Sequence, residues 1–138
     1  MEQRMTGTFY GVSVGPGDPE LLTLQAVRVL ENTPVIAAPQ TASGQMLALD
    51  IARGAVDLTG KSVLPLRFTM SHDAAVRAKS YRAAASAVEA ELRQGRDVAM
   101  VNLGDVALFA TAYYIFAEIE RDGFPARMLP GVTSVAAV

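Results

Sequence analysis

The stretch from Tyr10 to Leu24 constrains the fold more than any other part of this chain. Tyr10-Gly11-Val12-Ser13-Val14 is an apolar, β-prone run, and Gly15-Pro16-Gly17 breaks it. Asp18 or Thr23 can cap the helix that follows, and Pro19 suits a first helical turn. A strand that turns on glycine into a helix is the repeating unit of α/β sheets. Ligands in such sheets sit outside the carboxyl ends of the strands.

The rest of the chain repeats the unit. Thr8–Val14 reads as the first strand, and Leu24, Val27 and Leu30 mark a helix that Pro34 ends. Val35–Ala38 lacks alternation, as expected of a strand buried on both faces, and Pro39–Gly44 reads as a loop. Gln45–Arg53 is a short helix. Ser62–Phe68 is a third strand whose Pro65 favours an edge position. Asp73 opens a long helix with the stripe Tyr81, Ala84, Val88 and Leu92, which Gly95 closes. Asp97–Leu103 is a fourth strand. Leu108, Ala112, Phe116 and Ile119 mark the next helix, closed by Gly123, and Ala126–Leu129 is a fifth strand. The expected fold is α/β: a five-stranded, mainly parallel sheet with helices on both faces, in one domain over residues 1–138.

Three turns share the strand–glycine–helix pattern: Gly15-Pro16-Gly17-Asp18, Leu103-Gly104-Asp105 and Pro130-Gly131-Val132-Thr133-Ser134. In a parallel sheet all three fall on one edge. Glycine lets backbone approach a ligand closely, and helix starts point free amides into the same space. Each turn taken singly is equally well read as a glycine serving its turn and an aspartate capping a helix; the three together favour a ligand edge. The spacing of Gly11, Gly15 and Gly17 is not G-x-G-x-x-G, since Val14 and Glu20 break it, and no G-K-[ST] occurs.

Composition narrows the chemistry. Twelve Lys and Arg against fourteen Asp and Glu leave a formal charge of −2, with no basic block to suggest nucleic acid. The absence of cysteine removes disulfides, thiol nucleophiles and zinc–thiolate sites, and fits a cytoplasmic protein. The longest apolar run, Val106–Ala117, falls short of the roughly 20 residues of a membrane helix. His72, the single histidine, reads as an exposed loop residue, which argues against a histidine metal site or a serine triad. Tyr113 and Tyr114 read as core or interface. Arg77, Lys79, Arg82, Glu89, Glu91 and Arg93 read as a solvated helix face.

The motifs resemble those of a known family. Gly11 to Leu24 is similar to the opening signature of the tetrapyrrole (corrin/porphyrin) methyltransferases. Leu103-Gly104-Asp105 with Leu108-Phe109 resembles their second signature, and Pro130-Gly131-Val132-Thr133-Ser134 their third. Leu64 to Met70, with Val35-Ile36-Ala37-Ala38-Pro39, is most like the branch acting at C-20 of precorrin-2. The resemblance implies S-adenosylmethionine as methyl donor and a reduced tetrapyrrole as acceptor, precorrin-2 or cobalt-factor II, on the path to cobalamin. It implies donor binding by Pro16, Leu103, Gly104, Asp105, Leu108, Thr133 and Ser134, and acceptor contacts by Gly15, Gly17 and Arg67. Arg67 could pair a ring carboxylate bidentately or be a solvated strand-end charge, and the two readings weigh equally. Two departures stand out. Val106 replaces the usual proline of the second signature, and Pro39-Gln40-Thr41 carries no acid where some relatives have one, so no catalytic base is assigned. The family has two domains, and Ser134–Val138 reads as a helix start cut short, so the expectation is a donor-binding N-terminal half, homodimeric or self-associating. The alternative is a non-catalytic α/β ligand-binding or assembly module.

Overall fold

The computed structural model describes residues 6–15, 20, 22–68, 72–103 and 106–129, the last segment without side chains for 106–110. Among the described residues five strands and four helices alternate: β1 (Phe9–Ser13), α1 (Leu24–Asn32), β2 (Val35–Gln40), α2 (Leu47–Arg53), β3 (Ser62–Arg67), α3 (Ala74–Arg93), β4 (Val98–Asn102), α4 (Val106–Arg121) and β5 (Ala126–Leu129). The order in the sheet is β3-β2-β4-β1-β5, and every pairing is parallel. The α/β fold expected from the alternation is therefore present, with an all-parallel sheet.

The strand order decides where the helices go. From β1 the chain moves towards β2 and then β3. From β3 it returns past β2 to β4, and then past β1 to β5. Right-handed crossovers send the outward pair of helices to one face and the returning pair to the other. Packing agrees. Ala26 and Leu30 of α1 and Leu49 and Ala52 of α2 share a core with Val12, Ile36 and Val101. Ala85, Val88 and Leu92 of α3 and Ala112, Ile115 and Ile119 of α4 share the other with Phe9, Val35 and Met100. Strand residues alternate between the two cores, as the two-residue period requires.

Local chemistry fixes the helix starts. Thr23, not Asp18, caps α1: its Oγ1 accepts from the Ala26 amide at 3.1 Å, whereas Asp18 lies outside the described residues. Asp73 caps α3 in the same way through the Ala75 amide at 2.9 Å. Pro65 does lie on an edge strand, β3. The expected loop at Pro39 begins two residues too early, because Pro39 and Gln40 continue β2 by pairing with Leu66 and Arg67 of β3. Proline is tolerated there because β2 pairs with β4 only as far as Ala37, so no ladder bond from Pro39 to β4 is missing.

The polar face expected on α3 needs correction. Glu89 is 1% exposed and lies inside, one turn from Ala85 and from Arg93. Arg82 bonds Glu89 Oε1 at 2.9 Å, Glu118 Oε1 at 3.1 Å and Asp122 Oδ2 at 2.7 Å, so one guanidinium ties α3 to α4. Arg93 adds a 3.5 Å contact to Glu89, and Arg121 pairs with Glu118. Tyr113 and Tyr114 are not core: they are 56% and 42% exposed. Tyr114 instead rests against Tyr81, which meets Phe68 edge-on. His72 is exposed, as expected.

Gly11 marks a close approach between strands. A Cβ at this position would lie 2.2 Å from Met128 Sδ, so Met128 of β5 occupies the space a side chain on β1 would take. Gly11→Ala is expected to cost about 1–2 kcal/mol in chemical denaturation through overpacking. Shortening the neighbour should relieve it, so Gly11→Ala with Met128→Ala should cost less than the two single changes added together. Strict additivity would count against this packing.

Candidate functional site at the carboxyl edge

β4, β1 and β5 are neighbours in the sheet, and they are the three strands that lead into the three glycine turns. Register brings their ends level: Ser13 lies beside Asn102, and Val12 beside Leu129. Parallel strands stand about 4.8 Å apart, so the three strand ends span roughly 10 Å of rim. β1 and β4 are also where the winding reverses, since α1 leaves on one face and α4 on the other. Such a switch point opens a crevice outside the carboxyl ends of the strands. The pairing of β2 with β4 stops at Ala37 and Met100, so beyond that level β4 is paired to β1 alone.

Two buried polar residues stand at this level. Ser13 is 9% exposed and Asn102 is 2% exposed, and both continue the strand face that carries Phe9 and Met100. Ser13 Oγ accepts from the Gly15 amide at 3.3 Å, and the Val14 amide donates to Asn102 O at 2.8 Å. Gly15 is buried with φ +79°, in the left-handed region that favours glycine. Asn102 Nδ2 donates to Val12 O at 3.1 Å and leans on Met100 O at 3.5 Å. Both partners are carbonyls, so the amide cannot be turned over without setting oxygen against oxygen. Its Oδ1 is consequently the free end, buried and without a hydrogen bond among the described residues. Leaving such an acceptor bare costs about 1–3 kcal/mol.

Of the residues expected to bind ligand, Leu103 and Gly15 fall at the crevice. Leu103 follows β4 directly and packs, half-buried, against the α1–α2 core. Leu108 lies within α4, which starts at Val106, so valine does begin the helix in place of proline. Pro16, Gly17, Gly104, Asp105, Thr133 and Ser134 lie outside the described residues. Arg67 ends β3 on the same edge, exposed, with its Nε on Gln40 Oε1 at 3.2 Å. Two strand spacings, roughly 10 Å, separate it from β4. It belongs to the rim but not to the crevice.

The sequence reading passed over Asn102 and Ser13. The available signal was a polar residue closing each of two apolar strands, Val98-Ala99-Met100-Val101-Asn102 and Phe9-Tyr10-Gly11-Val12-Ser13. Among the described residues, no helix is long and apolar enough to cross a membrane.

Comparison with known proteins agrees with the fold. A sequence model of the family described as Tetrapyrrole (Corrin/Porphyrin) Methylases matches residues 8–138. The chain is similar to a cobalt-precorrin-2 C(20)-methyltransferase of Salmonella typhimurium, 37% identical over 97% of this chain and 56% of that protein. It is also similar to a probable cobalt-precorrin-2 C(20)-methyltransferase of Methanocaldococcus jannaschii, 34% identical over 93% of this chain and 54% of that one. Among solved structures, a uroporphyrin III C-methyl transferase from Thermus thermophilus superposes with a TM-score of 0.66 at 26% identity, covering 95% of this chain and 51% of the other. A Thermus thermophilus structure complexed with S-adenyl homocysteine superposes with a TM-score of 0.61 at 26% identity, over 95% of this chain and 47% of its own. The chain thus spans about half the length of the relatives it matches.

Proposed function

Because this chain belongs to the tetrapyrrole (corrin/porphyrin) methylases, we propose that its carboxyl edge binds S-adenosylmethionine for methylation of a reduced tetrapyrrole. The observation that carries the reading is the adjacency of β4, β1 and β5, which brings the strands feeding three glycine turns to one switch point. The described residues fit such a ligand. The crevice offers a glycine with positive φ and a buried, unoccupied acceptor, and a nucleoside–amino acid is rich in hydrogen-bond donors. When bound, S-adenosylmethionine supplies a methyl group already activated on a sulfonium.

What the chain itself contributes is alignment. The ladder between β1 and β4 fixes Gly15 and Leu103 relative to each other, and the two cores hold that ladder rigid. Holding two reactants in a near-attack geometry is worth several kcal/mol of barrier, about 7–11 at the limit. Pro16, Leu103, Gly104, Asp105, Leu108, Thr133 and Ser134 belong to the donor side of this reading, and Gly15 and Gly17 to the acceptor side, with the left-handed turn at Gly15 also shaping the donor side of the rim. Arg67 stands far enough along the rim to meet a carboxylate of a ring seated over β4 and β2. No residue is assigned to proton removal.

The resemblance to the relatives acting at C-20 supports precorrin-2 or cobalt-factor II as acceptor, within cobalamin biosynthesis. A second domain would supply the rest of the donor site, and this chain would be the N-terminal one. The exposed Tyr113 and Tyr114 would serve self-association, as a homodimer in the cytoplasm. The deciding experiment incubates the full-length polypeptide carrying this chain with S-adenosylmethionine and each acceptor. One added methyl group at C-20, seen by mass spectrometry and NMR, is expected. An acceptor returned unchanged by a protein that also fails to bind S-adenosylhomocysteine would leave the non-catalytic binding module as the better reading.

A further inference from the structure

We propose that Asn102 is a ligand-positioning residue, whose Oδ1 accepts a hydrogen bond from the molecule in the switch-point crevice. The inference rests on the donor-binding reading above and adds to it a residue outside the sequence signatures. Three observations carry it. Asn102 closes β4, level with Ser13 and one residue before Leu103, so it lies where β4 meets the crevice. Its Nδ2 is held by Val12 O and Met100 O, which fixes the direction of the carboxamide. Its Oδ1 is buried, and among the described residues nothing donates to it.

A purely structural asparagine would spend both ends of its amide. This one spends the donor end on two backbone carbonyls and leaves the acceptor end uncommitted. The matching ligand group is an N–H or O–H. S-adenosylmethionine offers three kinds: the ammonium of its amino acid, the ribose hydroxyls and the adenine amine.

Two variants of the full-length polypeptide separate a binding role from a folding role. In Asn102→Leu the acceptor is lost. In Asn102→Asp it is retained, and a buried aspartic acid can donate its single proton to Val12 O, the nearer of the two carbonyls. By calorimetry, Asn102→Leu is expected to weaken S-adenosylhomocysteine roughly 10–100-fold. Asn102→Asp should bind within about threefold of the unaltered protein, even if its melting temperature falls as far. Repeating the titration with methylthioadenosine, which lacks the amino-acid end, locates the donor. A leucine penalty that disappears assigns the bond to the ammonium, and one that persists assigns it to the nucleoside.

Equal affinity in both variants, or affinity that simply follows melting temperature across them, would overturn the inference while leaving donor binding intact. If the unaltered protein fails to bind S-adenosylhomocysteine, the proposed function falls and this inference with it. Should Asn102→Leu not fold, the aspartate variant and selective asparagine labelling still decide. The Asn102 carboxamide resonance should shift on ligand addition, whereas that of the exposed Asn32, bonded to Arg28 O, should not. An unmoved Asn102 resonance at saturation would also overturn it.

Discussion

Replacing Arg82 with methionine is expected to destabilise the domain by about 3–4 kcal/mol at pH 8 and by clearly less at pH 5. Methionine keeps much of the arginine stem, so the loss is electrostatic. Arg82 holds three carboxylates, and Glu89 among them is 1% exposed. Removing one partner of a buried pair costs roughly 3–5 kcal/mol, because the other charge stays behind unpaired. Arg82 is itself partly exposed, which argues for the lower part of that range. Glu89 also sets the pH dependence of the unaltered protein. Burial, and secondarily Asp122, raise its carboxyl from 4.5 to about 7, while Arg82 pulls the other way. An acid whose folded-state pKa is raised binds its proton more tightly when folded. Its contribution to stability is therefore complete below about pH 4.5 and is lost as the pH rises through about 7. At about 1.4 kcal/mol per unit, the full swing approaches roughly 3 kcal/mol. Asp122 works in the opposite sense at lower pH. Its carboxyl is lowered by its bonds to Glu89 and Arg82, so its contribution fades as the pH falls through and below 3.8. Glu89→Gln should flatten the profile between pH 5 and 7. Urea titrations from about pH 3 to pH 8 measure all of this, and a Glu89→Gln profile parallel to the unaltered one between pH 5 and 7 would disprove the assignment.

Gly15→Val is expected to reduce S-adenosylhomocysteine affinity by at least about 100-fold. Gly15 stands at φ +79° two residues beyond the end of β1. A β-branched residue there is a true conformational outlier, and left-handed backbone costs a residue with a Cβ roughly 1–2 kcal/mol. The chain has two ways to respond. It can keep the turn and carry the strain, or it can leave the left-handed region and move the Gly15 amide from Ser13 Oγ. The second disrupts the rim at its centre, since β1 lies between β4 and β5. Stability should fall by only about 1–2 kcal/mol, so the loss of binding would exceed the loss of folding. Comparable affinity in a folded Gly15→Val protein would remove Gly15 from the site.

Much of the architecture was legible because the relevant physics is local. Glycine turns, Pro34 and the capping residues Thr23 and Asp73 mark element ends without reference to the rest of the chain. Pro65 even gave the edge position of β3, since a missing amide is tolerated there. The strand order was not legible: apolar periodicity tells which face of a strand is buried, not which strand lies beside it. The adjacency of β4, β1 and β5, on which the site depends, is thus a product of tertiary pairing. Glu89 was misplaced because charge outweighed register in the reading. It lies four residues beyond Ala85 on the inward row of α3, with Arg82 and Arg93 of the same helix and the sequence-distant Asp122 acting on it. Asn102 escaped notice for a related reason. A polar residue at a strand end reads as the start of a loop, and only the hydrogen bonds to Val12 and Met100 reveal a buried amide with one end free.

The sharpest test is a crystal structure of the full-length polypeptide with S-adenosylhomocysteine. The ligand is expected outside the carboxyl ends of β4, β1 and β5, against Gly15 and Leu103, with one of its donors on Asn102 Oδ1. Density at the opposite end of the sheet, beside the Gly60-Lys61 turn that leads into β3, would contradict the proposed site.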